Sequence, residues 1–278
     1  MADPIKQEMR LGAGVIIDAV NIMGYDAVGI GSGELALGSA PLVELRRKTQ
    51  VPFVSANVSL QDDSPMCNSW VVKESRKLRW GIFSLMSAKT VSPNPEGGSQ
   101  DWRVLDPLQT GKAVVAELKK KTDRIILLAD MSIGEIKQLV AEFGDISIVV
   151  ATHRASGMRT PLQVGQTIVV SSGGNRYLGR LDLSIRDPEG PFVDQATISR
   201  VARQLALVKK RAAQGDDGSS EKMKTQLEAQ LKELGQKNVY RNQPLLLSAR
   251  VKEDNTVNRL VRDYHAELKK ARAGCGEK

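Results

Sequence analysis

Hydrophobic and polar positions follow two rhythms along this chain. In residues 13–23, AGVIIDAVNIM, the apolar Val15, Ile16, Ala19, Val20 and Met23 recur at helical spacing, and Gly24 is a natural helix stop. YDAVGIG then reads as a short buried strand, APLVELRRKT as a second helix, and VPFVSANV as a second strand with Pro52 near its beginning. Such alternation of helix and strand predicts an α/β fold with a largely parallel sheet.

Residues 68–91 change the rhythm. SWVVKES, LRWGIFSLM and KTVS predict consecutive strands, an antiparallel insertion or sheet edge, and SPNPEGGSQDW predicts a loop from its proline, glycine and serine content. After Asp106-Pro107, LQTGKAVVAELKKK predicts a helix with Ala113, Val114 and Leu118 inward, and DRIILLADMS a buried strand. IGEIKQLVAEFG and DISIVVATHRAS repeat the pair, and two strands are expected around the SGGN turn of QTIVVSSGGNRYLGRLDLSIRD.

Residues 194–214 and 219–237 predict two amphipathic helices around QGDDGSS, with Leu205, Val208, Leu227, Leu231 and Leu234 as the apolar stripe. QPLLLSARV predicts a returning strand, and a capped helix begins near Asp254. The expected organisation is an α/β domain over 1–190, a helical hairpin insertion over 191–242, and a return strand with closing helix over 243–278.

Charge sharpens this division. Residues 191–278 hold 18 Lys and Arg against 11 Asp and Glu, so they carry +7 of the net +8. The cations are spread along helical patterns, as on a solvated face, and aromatics make up only 4% of the chain. Both features speak against nucleic acid as a partner. Cys67 and Cys275 form neither a disulfide framework nor a CxxC metal site, and Cys275 is expected in a frayed tail. No apolar run is long enough to span a bilayer. The start MADPIKQEMRLGAG has no signal-peptide core, so the expectation is cytoplasmic as written, and periplasmic if the true start lies upstream.

Helix, strand and polar loop recur three times, ending at Gly31-Ser32-Gly33-Glu34, Ala129-Asp130-Met131-Ser132 and Thr152-His153-Arg154. Parallel strands would bring these loops to one edge of a sheet, where α/β proteins bind ligands. Asp130 and His153 have metal-ligand or acid–base character there, and Glu34 is a third candidate. Each also has a structural reading: a hydrogen-bonded histidine, a turn-stabilising aspartate, and a glutamate satisfied by backbone N–H groups. A two-metal hydrolase needs cations about 3.5–4 Å apart, each held by several side chains, and two or three scattered ligands do not meet that need. No GxSxG, Walker, GxGxxG or paired CxxC motif is present.

In order and spacing, the segments GYDAVGIGSGELALG, VPFVSANV, IILLADMS, SIVVATHRA and NRYLGRLDL resemble the 5′-nucleotidase branch of the calcineurin-like metallophosphoesterases. That family reads GYDA…GNHEFDYG, FPVLSANV, VIVLSHLG, DVIVGGHSH and GKYLGRLDL. The resemblance covers roughly residues 13–190 and 243–265, and implies an α/β/β/α sandwich and two divalent metal ions in the family. Its metal-binding Asn falls on Ser32, its catalytic His on Gly33, and the metal-binding His of its SHLG loop on Asp130. The first His of its GHSH loop matches His153, and the second falls on Ala155. The family's Asp-x-His and Gly-Asp segments would lie before Met1.

The resemblance therefore implies an incomplete sandwich with a C-terminal helical hairpin, a degenerate site with no confident catalytic residue, and no cofactor in this chain. Hydrolysis is expected to be lost or strongly reduced. Two alternatives stand beside this reading: a binding or assembly module using the basic hairpin 194–237, and an active phosphoesterase with a metal site rebuilt in a longer form. A protein partner or a missing N-terminal segment is expected to cover the open sheet.

Overall fold

The computed structural model describes residues 4–35, 38–91, 101–152, 158–172, 174, 176–213 and 218–275. The chain begins with α1 (Pro4–Met23), β1 (Val28–Gly29), the single turn α2 (Ser32–Leu35) and α3 (Ser39–Arg47). Next come β2 (Phe53–Val54), β3 (Val58–Leu60), β4 (Trp70–Ser75), β5 (Leu78–Met86) and β6 (Trp102–Val104). The central units are α4 (Pro107–Leu118), β7 (Arg124–Asp130), α5 (Ile133–Phe143) and β8 (Ile148–Ala151). They are followed by β9 (Leu162–Val164), β10 (Thr167–Val170), β11 (Tyr177–Leu178), β12 (Leu181–Ser184) and β13 (Phe192–Asp194). The C-terminal part holds α6 (Gln195–Ala212), α7 (Gly218–Leu234), β14 (Asn238–Asn242), β15 (Leu245–Leu246) and α8 (Asn255–Cys275).

Six strands form the main sheet in the order β4-β5-β7-β8-β10-β9. The inner four are parallel, while β4 and β9 pair antiparallel at the two edges. The sequence rhythm explains the middle: β7, β8 and β10 are short runs rich in Val, Ile and Leu, largely buried apart from Val150, as in helix-covered parallel sheets. On one face Phe83, Leu85, Leu127, Ala129, Val149 and Val169 pack against α4 and α5 through Val114, Leu118, Ile136, Leu139 and Phe143. Each fully buried aliphatic side chain contributes about 1.5–3 kcal/mol there. The approach of α4 is close: a Cβ at Gly111 would stand 2.7 Å from Phe143 and 2.9 Å from Leu85.

Both ends of α5 are set by sequence. Ser132 and Glu135 form a capping box at its start, and Gly144 closes it with φ 67°.

A second layer lies on the opposite face of the main sheet. It consists of the parallel pair β1-β2, the antiparallel pairs β3-β6 and β11-β15, and the three-stranded sheet β12-β14-β13. Outside it, α1 and α8 lie together, where Arg272 donates to Glu8 at 2.7 and 2.9 Å. α6 and α7 form the helical hairpin, with Val201, Leu205, Val208 and Leu234 buried, and Lys209 paired with Glu228 at 2.8 Å.

Several expectations are corrected. KTVS is not a strand: Ala88–Thr90 form one 3-10 turn, because the Ser87 side chain accepts from the Lys89 N–H and caps it. Trp102, expected in a loop, opens β6, which pairs with β3. The return strand begins at Asn238 and breaks at Gln243-Pro244, where proline cannot donate to a ladder. Cys275 is the last described residue and ends α8. The three ligand-edge strands do not share one sheet, since β1 belongs to the second layer while β7 and β8 are in the main sheet. Most of the loop expected before Trp102 lies outside the described residues. Among the described residues, no helix is long and apolar enough to cross a membrane.

Candidate functional site

The three loops meet at Asp130, although β1 lies in a different layer from β7 and β8. Asp130 closes β7 and is buried, and its two oxygens reach opposite ways. Oδ2 accepts the Ser32 N–H at 2.8 Å, and Oδ1 accepts the Thr152 hydroxyl at 2.7 Å. One carboxylate thus ties the loop after β1 to the residue that follows β8. Glu34 lies on the exposed turn α2, where its Oε2 accepts the Gly31 N–H at 2.9 Å.

The glycine before these residues is required by packing. A Cβ at Gly31 would stand 2.8 Å from Asp130 Oδ2 and 3.4 Å from Glu34 Oε2, whereas one at Gly33 would meet nothing within 4 Å. Ser32 has its backbone N–H on Asp130, and Gly33 has no side chain to offer. His153 and Ala155 lie outside the described residues. His265, on α8, has its ring centroid 5.3 Å from that of Tyr264.

A second polar group adjoins this one and was not singled out from sequence. The Ser87 N–H donates to the Asp130 carbonyl at 3.0 Å, and the Ser87 hydroxyl donates to Glu135 Oε1 at 2.7 Å. Lys89 stands 3.7 Å from the same carboxylate. Burial pushes the Glu135 carboxyl up, but hydrogen bonds from Ser87 and Ser132 and the nearby Lys89 outweigh it and hold the group at about 2. An acid so firmly ionised is a poor general base at neutral pH, so this group braces the loop. Cys67 is equally inert: burial in the second-layer core pushes its thiol up to about 12.

No family model matches this chain. The uncharacterized metallophosphoesterase YunD of Bacillus subtilis (strain 168) is 23% identical over 172 residues, covering 61% of this chain and 37% of YunD. A 5′-nucleotidase precursor from Thermus thermophilus superposes with a TM-score of 0.65 at 17% identity, over 92% of this chain and 45% of that one. The calcineurin-like phosphoesterase YfkN of Bacillus subtilis gives 0.62 at 16% identity, over 98% of this chain and 82% of the other.

This chain has the calcineurin-like phosphoesterase fold. It spans less than half the length of YunD and of the Thermus nucleotidase. The family resemblance seen in the sequence and the α/β fold class both hold.

The described residues by themselves do not fit the pair of divalent cations that this phosphoesterase resemblance implies. Both Asp130 oxygens accept protein hydrogen bonds, and Glu34 closes its own turn. Among the described residues no group of three or more His, Cys, Asp or Glu could hold a metal ion. Sequence spacing singled out Asp130 and Glu34 but not Thr152 or Gly31. The signals for those two were a hydroxyl directly after a strand and a glycine three residues before the loop acid, just ahead of the turn.

Proposed function

We propose that this chain is a 5′-nucleotidase-like phosphoesterase scaffold whose hydrolysis of phosphomonoesters is lost or strongly reduced, a pseudoenzyme. The observation that supports it most is Asp130. At a position where the resembled family ligates metal, its carboxylate bridges the Ser32 N–H and the Thr152 hydroxyl and so holds two loops together. Gly33 supplies no proton donor for a leaving oxygen, and the neutral hydroxyl of Ser32 is a poor substitute for an amide or imidazole ligand. What the loop retains is shape: Gly31 lets the backbone pass against Asp130, and Glu34 caps the turn.

The test is calorimetric titration of the 278-residue chain with Mn²⁺ and Zn²⁺, with Asp130→Asn and His153→Ala alongside. The expected result is no saturable binding at micromolar metal that either substitution removes. Tight binding of two ions, lost in both variants, would overturn the proposal and favour a rebuilt site.

A further inference from the structure

The main sheet ends on one side at β4, the outer strand of the β4-β5 hairpin. Arg76 and Lys77 close that hairpin with φ 50° and 69°, the positive values that a tight two-residue turn between twisted strands requires. Along β5, successive residues point their main-chain groups to opposite edges. The Arg79 N–H donates to Asp123 Oδ2 at 2.7 Å and its carbonyl accepts the Asp123 N–H at 2.9 Å, on the side of β7. The Ser84 and Met86 carbonyls accept from Ala56 and Asn57 on the other side.

Arg79, Gly81 and Phe83 therefore face β7, and their partners Glu74, Val72 and Trp70 turn their N–H and C=O groups away from β5. Among the described residues, no other element bonds to the main chain of these three. The strand carries neither proline nor bulge to blunt this edge.

The edge is its own complement. An antiparallel partner must set outward residues opposite outward residues. With β4 as that partner, a two-fold axis at Val72 engages all three residues on both copies: Val72 faces Val72, and Trp70 faces Glu74. The side chains fit the same register. Val72 is 37% exposed on the helix side of the sheet, beside Gly81, which has no side chain to cover it. Glu74 falls opposite Trp70, whose ring carries the Glu117-bound Lys121 ammonium at 4.5 Å, so the acid lies beside a cation. Lys73 falls opposite Val71 and keeps Asp26 at 3.7 Å, so no like charges stand directly opposite. An axis at Lys73 would set two ammonium groups face to face, and one at Val71 would leave Glu74 without a partner in β4. This two-fold self-complementarity selects a second copy as the occupant.

We propose that two copies of this chain associate through β4, antiparallel about a two-fold axis at Val72, so that their main sheets join into one. The proposal is independent of whether the loops hydrolyse phosphate.

The test is sedimentation velocity of the 278-residue chain over a range of concentrations, with hydrogen exchange read at the Val72 amide. A reversible monomer–dimer equilibrium is expected, with exchange at that amide slowed by at least ~tenfold in the dimer. Val72→Pro removes an outward N–H and no bond to β5, so it should keep the fold, which circular dichroism checks. It should weaken dimerisation by at least ~tenfold, corresponding to ~1.4 kcal/mol. Val72→Lys leaves the backbone alone, brings two cations together at the axis, and should weaken dimerisation as much. Leu207→Lys, on the exposed outer side of α6, should leave it unchanged. Three results would overturn the proposal: a monomer at every concentration, a dimer that both Val72 variants leave intact, or a Val72 amide that exchanges equally in monomer and dimer.

Discussion

The two faces of the main sheet are made by the same strands yet are closed to different degrees. On the helix side, Leu127, Val149 and Val169 lie under α4 and α5 in one continuous core. On the other side, their chain neighbours Leu128, Val150 and Val170 meet a second layer built from separate small sheets, and Val150 is left open. The helix face owes its closure to local βα units, each of which brings its own cover. The second layer depends on strands brought together from distant parts of the chain, so a gap there leaves the rest of the sheet intact. A fold can thus keep its stabilising face complete while the face opposite it stays partly open.

The largest test of that contrast is a pair of substitutions. Leu127→Ala should cost about 3 kcal/mol in urea unfolding, since the side chain is fully buried and a cavity remains. Val150→Ala should cost less than about 1 kcal/mol. Equal costs would mean that the open face is closed in solution.

A smaller effect probes the brace behind the loop. Glu135→Ala removes the capping box and the Ser87 bond and should cost about 2 kcal/mol. Because the folded-state pKa is depressed, this contribution is present above the ordinary value of 4.5 and is lost as the pH falls toward about 2. Across that window the wild-type chain should therefore lose more stability than Glu135→Gln does. Parallel pH profiles for the two would contradict the assigned role.

The smallest contrast lies within the glycine turn. Gly31→Ala drives a Cβ against Asp130 and should cost about 1–2 kcal/mol, while Gly33→Ala should stay within about 0.5 kcal/mol. Thermal melts of the two variants measure the difference. A reversal would show that the Asp130 bridge does not shape the loop.

Much of this arrangement is legible in the sequence, for identifiable reasons. Helical and strand periods locate α4, β7, α5 and β8 because each element buries a face of its own. The glycine stop at Gly24, with φ 66°, and the cap at Asp254, which accepts the Thr256 and Val257 N–H groups, are readable as local chemistry. The three-residue strands β9 and β13 escape such a reading, since pairing with distant partners and not period makes them strands. Likewise spacing can place Asp130 at a strand end but cannot reveal Ser32 and Thr152 as its partners. Those bonds span 98 and 22 residues: the first exists only once two layers have stacked, the second only once β7 and β8 have paired.

The central claim is that the loop keeps the shape of a phosphoesterase site without its chemistry. The most direct measurement is turnover of p-nitrophenyl phosphate and adenosine monophosphate by the 278-residue chain, with and without Mn²⁺ and Zn²⁺. Rates equal to the protein-free blank are predicted in every condition, unchanged by His153→Ala or Asp130→Asn. Metal-dependent turnover abolished by either substitution would contradict the claim.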